Sequence, residues 1–259
     1  MAIRFRHLSL QRRLLILVGV AAISIMEMAP ARAGCSDNPG PGVNWTGCAK
    51  ERRMLASDDF TGSIFVKAAL GASDFGGSRL AGAKFGEAEV TRTRFEGADL
   101  SQADFTKAVG WRANFAKANL QKAIFQSADM SRSAFTQANL AGAQMSKSEL
   151  NRSDFTQADL AGVDLSRAEL ARVTFTKAKV AGVNFSYSNL SRANLANLDL
   201  AGGDLTGSYL FLTQLSGANL AGAKGLTQAQ LDIACGDSHT KLPAALTAPK
   251  AWPCPAEAD

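Results

Sequence analysis

A core-type residue occupies every fifth position of this chain from residue 60 to residue 225, without a break in phase. Of these 34 positions, 12 are Phe, 16 are Leu, two are Val and two are Met, so that only Gly110 and Gly225 lack a large apolar side chain. This spacing fits neither the 3.6-residue period of a helix nor the two-residue period of an ordinary strand. It predicts a solenoid whose coils stack directly on one another.

A second period of 20 residues runs through the same region. Ala-Gly follows the centre at six places and arginine recurs at six others, in both cases at intervals of 20 or a multiple of it. Four five-residue units therefore complete one coil, and equivalent residues stack from coil to coil, about 4.8 Å apart. Ala or Ser lies two residues before the centre in 26 of the 34 units, so each wall offers one large and one small inward group.

Units such as Ala218-Asn219-Leu220-Ala221-Gly222 carry the pattern A-(D/N)-L-x-x. In this pattern the chain resembles the pentapeptide-repeat family over about residues 45–225, and residues 226–237 are similar to the terminal cap of exported bacterial members. The resemblance implies an all-β fold, a right-handed quadrilateral β-helix. With 20 residues per coil, we expect about nine coils and a short C-terminal capping helix.

The first 33 residues have the character of a secretory signal peptide. Arginines precede an apolar stretch over residues 14–25, and Ala31-Arg32-Ala33 forms a small-x-small cleavage pattern. The apolar stretch is too short for a permanent membrane anchor. We therefore predict cleavage after Ala33 and a periplasmic or secreted protein without stable membrane insertion. Twin-arginine export through Arg12-Arg13 and lipidation of Cys35 are alternatives that the sequence leaves open.

Removal of this leader changes the charge balance. The full chain has 28 basic and 23 acidic residues, and the leader contains five arginines and one glutamate. The mature chain is thus left with 23 basic and 22 acidic residues, a net charge of +1. We expect no global attraction to nucleic acid or to anionic lipid.

The four cysteines form two local pairs, one before and one after the repeats. An even number of cysteines in an exported chain indicates disulfides. Because a long solenoid holds its two ends far apart, we predict the bonds Cys35–Cys48 and Cys235–Cys254. Metal binding by these cysteines is not expected, since no CxxC motif or neighbouring His accompanies them.

The chain divides into four parts: a signal peptide over residues 1–33, an N-terminal cap over 34–44, the repeat β-helix over 45–225, and a C-terminal cap and tail over 226–259. At the C-terminal end Thr227 and Gln230 suit a capping box, and Gly236 suits a helix stop. Within the repeats, Gly110 leaves a centre empty. We expect Met130 to fill this space or Val109 to turn inward, with Trp111 projecting outward.

The arginines that recur every 20 residues are the candidate interaction surface, together with Trp111. An acidic residue lies three positions before four of them, at Glu89, Asp129, Glu149 and Glu169. We interpret the column as interleaved surface ion pairs, with a polyanion site as the alternative. The Ala-Gly column could form a flat docking or self-association face, and a homodimer is therefore possible. The arginines are Arg92, Arg112, Arg132, Arg152, Arg172 and Arg192.

The residues provide no basis for catalysis, and we predict no cofactor and no metal site. His7 lies in the leader and His239 stands alone in the tail, so a His-based triad or metal cluster has no material. We predict a non-catalytic, exported scaffold that binds a protein partner in the cell envelope and no nucleic acid. An anion-binding envelope module that uses the arginine column is one alternative. A DNA mimic is the other, because some family members protect DNA gyrase from quinolones, but those need a strongly acidic surface.

Overall fold

The computed structural model describes residues 34–254 of the 259-residue chain. The predicted signal peptide lies outside these residues. Parallel bridges join residues that precede a centre to their counterparts 20 residues later, from Asn44–Ile64 to Asp204–Lys224, with one exception at Lys179. Each wall contributes a single bridging residue per coil, at positions such as Ile64, Ala69 and Asp74. The β-structure of the described residues therefore consists of stacked bridges and not of long strands.

The hydrogen bonds of one wall explain why five residues complete it. The N–H of Phe65 donates to the carbonyl of Lys84 in the next coil over 2.7 Å, and the N–H of Lys67 donates to Gly86 over 2.9 Å. Ala68 then donates back to the carbonyl of Phe65 over 3.0 Å, which turns the chain through a corner. Lys67, the corner residue, has a φ of 57°. From residue 42 to residue 217, each wall ends in a left-handed residue, most often a Gly or a long polar side chain.

The predicted inward columns of Phe and Leu are confirmed. All twelve Phe centres are fully buried, and the small residues two positions earlier are buried beside them. Rings in one column stack face to face, as at Phe85 and Phe105, whose centroids lie 4.5 Å apart at an angle of 1°. Rings of opposite walls meet edge to face, as at Phe105 and Phe115, with 5.6 Å and 88°. Such aromatic pairs add about 0.5–1.5 kcal/mol each beyond the burial of their area.

The structure resolves how the missing side chain at Gly110 is compensated. A Cβ atom at Gly110 would come within 2.8 Å of Cγ2 of Val90 and still closer to Sδ of Met130. Met130 is fully buried, whereas Val109 is 46% exposed. Of the two predicted solutions, Met130 therefore fills the space and Val109 does not turn inward.

The N-terminal end of the tube is closed by the segment that precedes the first coil. Gly34 donates from its N–H to the carbonyl of Asn44 over 2.9 Å, and Cys35 is bonded to Cys48 as predicted. Trp45 is only 1% exposed, and its ring packs edge to face against that of Phe60 with 5.8 Å between the ring centroids. An aromatic layer therefore seals the hydrophobic interior at this end.

The C-terminal end carries the predicted short helix, α1, over Gln228–Asp232. Thr227 is its N-cap, and the capping box between Thr227 and Gln230 is present in both directions. The side-chain amide of Gln230 also donates to the carbonyls of Leu205 and Ser208, each over 2.9 Å, and so ties the helix to the last coil. The predicted second disulfide, Cys235–Cys254, is present as well.

The prediction that Gly236 stops this helix is wrong. The helix ends at Asp232 with Ile233 as C-cap. Gly236 instead leaves room for the ring of Trp252, which would collide with any Cβ atom at this position. The indole N–H of Trp252 donates to the carbonyl of Ala234 over 2.7 Å. The glycine is therefore required for packing of the tail and not for a turn.

Candidate interaction surface

The arginine face is the wall whose centres run from Leu70 to Leu210 in steps of 20, together with the corner after each centre. The six predicted arginines occupy this corner in six successive coils. Each has a φ between 57° and 61°, and each side chain is exposed. The left-handed backbone directs every one of these side chains away from the wall. The structure thus brings the six predicted residues into one column that points to solvent.

The column extends beyond the six predicted arginines. Arg52, also exposed and with a φ of 55°, lies two coils before Arg92 in the same register. Ala72 occupies the position between them, and this interruption is why the spacing of 20 residues did not reveal Arg52. Because Ala72 and Gly71 are short, an open cleft of about 510 Å³ lies between the two arginines. The spacing of 40 residues between Arg52 and Arg92 is the sequence signal that could have revealed Arg52.

The predicted ion pairs within the column are not formed. In the described residues, Arg92, Arg132, Arg152 and Arg172 make no ion pair with the acidic residue three positions earlier. Glu89 accepts a hydrogen bond from the N–H of Thr91 over 2.8 Å, and Asp129 accepts one from Ser131 over 3.0 Å. These bonds hold the carboxylates against the wall, while the left-handed corner turns the arginines away from it. Sequence proximity therefore did not produce contact.

Trp111 makes the contacts that the carboxylates do not make. The guanidinium carbon of Arg112 lies 4.3 Å from the centre of the Trp111 ring, and that of Arg132 lies 5.6 Å from it. Such cation–π contacts contribute about 0.5–1 kcal/mol at exposed sites. They leave the guanidinium N–H groups free to donate to an external anion, because an aromatic ring does not neutralise the charge. Trp111 and these two arginines form the Trp111 cluster.

Charged residues on the other walls do pair. Arg79 donates to Asp59 over 2.7 Å, and Arg94 contacts both Asp74 at 3.1 Å and Glu96 at 3.0 Å. The hydrogen bond from Arg79, aided by the Thr61 N–H, holds the pKa of Asp59 far below its usual range. In these pairs the two partners stand directly one coil apart or on the same turn. The contrast shows that register, and not the number of charges, decides pairing.

The Ala-Gly wall carries its glycines at left-handed corners that face open space. Gly82, Gly142, Gly162 and Gly182 all have φ between 66° and 69°, and a Cβ added at Gly82, Gly162 or Gly182 would meet nothing within 4 Å. The glycines are thus explained by the left-handed corner alone. No contact in the structure assigns this wall a role.

A pair of aromatic residues lies at the C-terminal end of the arginine face and was not predicted. The rings of Tyr209 and Phe211 are 6.2 Å apart at an angle of 12°, with side chains 52% and 41% exposed. They flank the centre Leu210 on both sides, at positions that are polar or small in most coils. Their outward placement follows from the five-residue period, which would have been sufficient to find them.

Within residues 34–254, no group of three or more His, Cys, Asp or Glu side chains could hold a metal ion. His239 approaches Asp237 with an Nδ1–Oδ2 distance of 3.6 Å, and its side chain is exposed. Over the same residues no helix is long and apolar enough to cross a bilayer.

Comparison with protein families gives two overlapping matches. The family model for a pentapeptide repeat region matches residues 128–205, and the model for eight copies of the pentapeptide repeat matches residues 73–109 and 188–224. Together they cover more than half of the chain. The chain belongs to the pentapeptide-repeat family. No curated protein matches this pentapeptide-repeat protein in sequence.

Several solved structures are similar to this pentapeptide-repeat protein. HetL, a pentapeptide repeat protein involved in heterocyst differentiation regulation from the cyanobacterium Nostoc sp. strain PCC 7120, is 27% identical, with a TM-score of 0.44 over 69% of this chain and 89% of HetL. QnrB1, a plasmid-mediated fluoroquinolone resistance protein, is 22% identical, with a TM-score of 0.33 over 65% and 90%. A pentapeptide repeat protein of the Arabidopsis thaliana thylakoid lumen is 29% identical, with a TM-score of 0.29 over 45% and 68%.

Proposed function

We propose that this pentapeptide-repeat protein is a non-catalytic scaffold, exported to the cell envelope, that binds an acidic partner protein through its arginine face. The rod that presents this face is a right-handed quadrilateral β-helix of about nine coils, as the resemblance to the family implies. One observation carries the proposal. Exposed arginines stand in a column beside Trp111, and in the described residues Arg92, Arg132, Arg152 and Arg172 form no ion pair with the carboxylates that were expected to neutralise them. Two of these carboxylates, Glu89 and Asp129, are held by backbone N–H groups.

The chemistry of the column favours an acidic surface. A guanidinium presents several N–H donors in a fixed plane and can bind a carboxylate through two parallel hydrogen bonds. A rigid rod keeps the donors in place, so that little conformational entropy is lost on binding. Single exposed pairs contribute only about 0–1 kcal/mol. Useful affinity therefore requires several arginines to act together.

Export is supported by the cysteines. Cys35–Cys48 and Cys235–Cys254 close both ends of the tube, and such bonds persist in oxidising compartments such as the bacterial periplasm. The leader-like sequence of residues 1–33 supports the same location.

The proposal is tested by affinity capture from envelope extracts with the mature protein as bait. The test variant is Arg112→Gly/Arg132→Gly. Glycine suits the positive φ of 60° and 59° at these corners, so the fold is retained. The matched control, Lys107→Gly/Lys147→Gly, removes the same charge from corners of the neighbouring wall with φ of 58° and 59°. We expect only the test variant to fail to capture the partner. In a direct assay with the purified partner, the same variant should lose binding and the control should keep it.

A third bait alters the Ala-Gly wall by Gly142→Lys/Gly162→Lys. Lys122 already occupies the corresponding corner with a φ of 57°, so lysine is compatible with this position. If neither the arginine variant nor the Ala-Gly variant changes any bound protein, the scaffold proposal fails. Loss of a captured protein with the Ala-Gly variant alone would indicate that the Ala-Gly wall is the docking face.

An anion-binding envelope module is the second candidate, and the Trp111 cluster is the observation that favours it. Two guanidinium groups lie over one indole ring, which is a suitable arrangement for a sulfated or phosphorylated polymer. Retention on heparin or lipopolysaccharide at about 0.3 M salt, where simple surface attraction is largely screened, would support it. Loss of this retention in Arg112→Gly/Arg132→Gly, with no protein partner captured, would place this candidate first.

Protection of DNA gyrase by DNA mimicry remains the least favoured alternative. A DNA mimic requires a negative surface, whereas the mature chain is close to neutral and carries an exposed arginine column. We expect no relief of quinolone inhibition in a gyrase supercoiling assay. Such relief would reverse the order of these candidates.

A further inference from the structure

One bridge is missing from the ladder of the described residues between positions 44 and 224, the bridge that would join Lys179 to Asp199. The inter-coil hydrogen bonds around it are missing as well. One coil earlier, the equivalent N–H groups donate across the ladder over 2.8–2.9 Å, as from Leu160 to Lys179 and from Gly162 to Ala181. The N–H groups that lack such a bond are those of Lys177, Val180, Gly182 and Asp199.

The opening is centred on one wall and begins at the corner before it. On the adjacent wall, the N–H of Phe175 reaches the carbonyl of Asn194 over 3.2 Å, compared with 2.8 Å for Phe155 one coil earlier. On the other adjacent wall Phe185 reaches Asp204 over 2.8 Å, and on the opposite wall Leu190 reaches Tyr209 over 2.9 Å. The two coils therefore separate like a wedge, widest between residues 177–182 and 196–201 and closed on the opposite side.

Leu198 accounts for the wedge. It lies two residues before the centre Leu200, in a column that holds only alanines and Ser78 from residue 78 to residue 218 apart from Leu198 itself. A leucine is too large for a space shaped for a methyl group, and overpacking is relieved by backbone displacement. Ala178, the neighbour of Leu198 one coil earlier, is 9% exposed, whereas Ala98, Ala118, Ala138 and Ala158 are at most 1% exposed. Leu198 therefore forces the coils apart on the side of Ala178.

Water can reach the separated edges. A cleft of about 380 Å³ lies at this point and is lined by residues of both coils. Val180 at its base is 3% exposed, although the leucine centres of this column are fully buried. Unpaired backbone groups are costly when they are dry, and the cleft allows solvent to pair with them. The lining residues are Ala178, Lys179, Val180, Ala181, Asp199 and Ala201.

We propose that this opening, the Leu198 seam, is a hinge built into the rod. The wall between residues 177–182 and 196–201 opens and closes, while the three paired walls act as the axis about which the coils tilt. A tube with every wall paired resists bending, because bending would break several hydrogen bonds at once. At the seam those bonds are already broken, so bending there costs less than anywhere else between residues 44 and 224. The hinge does not depend on which partner the arginine face binds.

Hydrogen exchange of the oxidised mature protein, measured by NMR or by mass spectrometry with residue resolution, tests the proposal. We expect the amides of Val180 and Gly182 to exchange at least about 100-fold faster than those of Leu160 and Gly162, their equivalents one coil earlier. In Leu198→Ala the wedge is removed, and the amides of Val180 and Gly182 should reach the protection of Leu160 and Gly162. Equal protection in the unaltered protein, or unchanged fast exchange in Leu198→Ala, would overturn the proposal.

A second variant keeps the test decisive if Leu198→Ala does not fold. Ala158→Leu places a wedge at the same position two coils earlier and should create a new seam. We expect fast exchange at Leu140 and Gly142, which donate across the ladder over 2.8 Å and 2.9 Å in the unaltered chain. A folded Ala158→Leu protein that retains slow exchange at both amides would show that a large residue in this column does not open the wall.

Discussion

Oδ1 of Asp237 accepts a hydrogen bond from the N–H of Gly217 over 3.0 Å. In the preceding coils the N–H at this corner donates to a backbone carbonyl one coil later, as Gly97 does to Ala116 over 2.9 Å. Gly217 lies in the last coil, where no further coil supplies that carbonyl. The carboxylate of Asp237 takes its place and also accepts from the N–H of His239 over 2.9 Å. The cap thus imitates one more layer of the ladder.

The first prediction is a loss of stability of the cap in acid. The Gly217 N–H bond is the largest cause that lowers the pKa of Asp237 in the folded chain. A lowered folded pKa means that the stabilisation is present above the unfolded value, about 3.9, and is lost as the pH falls through the folded value. We expect Asp237→Asn, which keeps an acceptor oxygen, to flatten this acid dependence, and Asp237→Ala to lower the melting temperature at neutral pH. Thermal melts between pH 7 and pH 2 measure both effects, and identical curves for all three proteins would contradict the prediction.

The second prediction concerns Gly110 and Met130. We expect Gly110→Leu alone to destabilise the fold by about 1–3 kcal/mol, because the new side chain enters space held by Met130 and Val90. Gly110→Leu/Met130→Ala should recover much of this loss by exchanging which residue fills the column. Urea unfolding at constant m value provides the comparison. A double variant less stable than the single one would show that the two side chains do not share this space.

The third prediction concerns the disulfides at the two ends. They join cysteines 13 and 19 residues apart, and each should contribute about 3 kcal/mol through the loop that it closes in the unfolded chain. Cys35→Ser/Cys48→Ser and Cys235→Ser/Cys254→Ser should each shift the denaturation midpoint to lower urea. In the quadruple variant that combines both pairs of substitutions, addition of reductant should not shift the denaturation midpoint further. A midpoint insensitive to both pairs would contradict the role of these bonds as end closures.

The fourth prediction separates binding from stability at the Trp111 cluster. Arg112→Gly removes a cation–π contact of 4.3 Å and relieves a left-handed arginine with a φ of 60°. These effects oppose each other, so we expect the free energy of unfolding to change by no more than about 0.5 kcal/mol. The emission of Trp111 should change, because its nearest guanidinium is gone. Marked destabilisation would mean that Arg112 has a structural role and would weaken its use as a binding probe.

Much of the fold was accessible from the sequence because a repeat removes ambiguity. Phe65 and Phe85 occupy the same place in consecutive coils, so the periods of five and 20 residues assign each residue to a wall, to the inside or outside, and to a neighbour. The pairing of Cys235 with Cys254 and the capping box of Thr227 followed from separation along the chain and from local chemistry. The role of Gly236 could not be predicted in this way, because the glycine is required by the ring of Trp252, a residue 16 positions away in the tail.

On the arginine face, the sequence predicted the positions of the side chains but not their contacts. Arg132 was correctly placed in an outward column, yet its expected partner Asp129 binds a backbone N–H instead. Trp111, known only as an outward aromatic residue, turned out to lie under Arg112 and near Arg132. The competition between a backbone donor and a guanidinium for one carboxylate depends on distances that spacing along the chain does not contain.

The amino-acid sequence by itself determined the architecture of this protein, because apolar burial at a fixed period specifies one tube and one register. Only the tertiary structure decided which polar groups meet and where the tube opens. Leu198 is conspicuous in the sequence as a large residue in a column of small ones, but its effect depends on whether the coils repack or separate. They separate, since Ala178 and Val180 are enclosed by three paired walls that hold their positions, and the fourth wall is the one that yields.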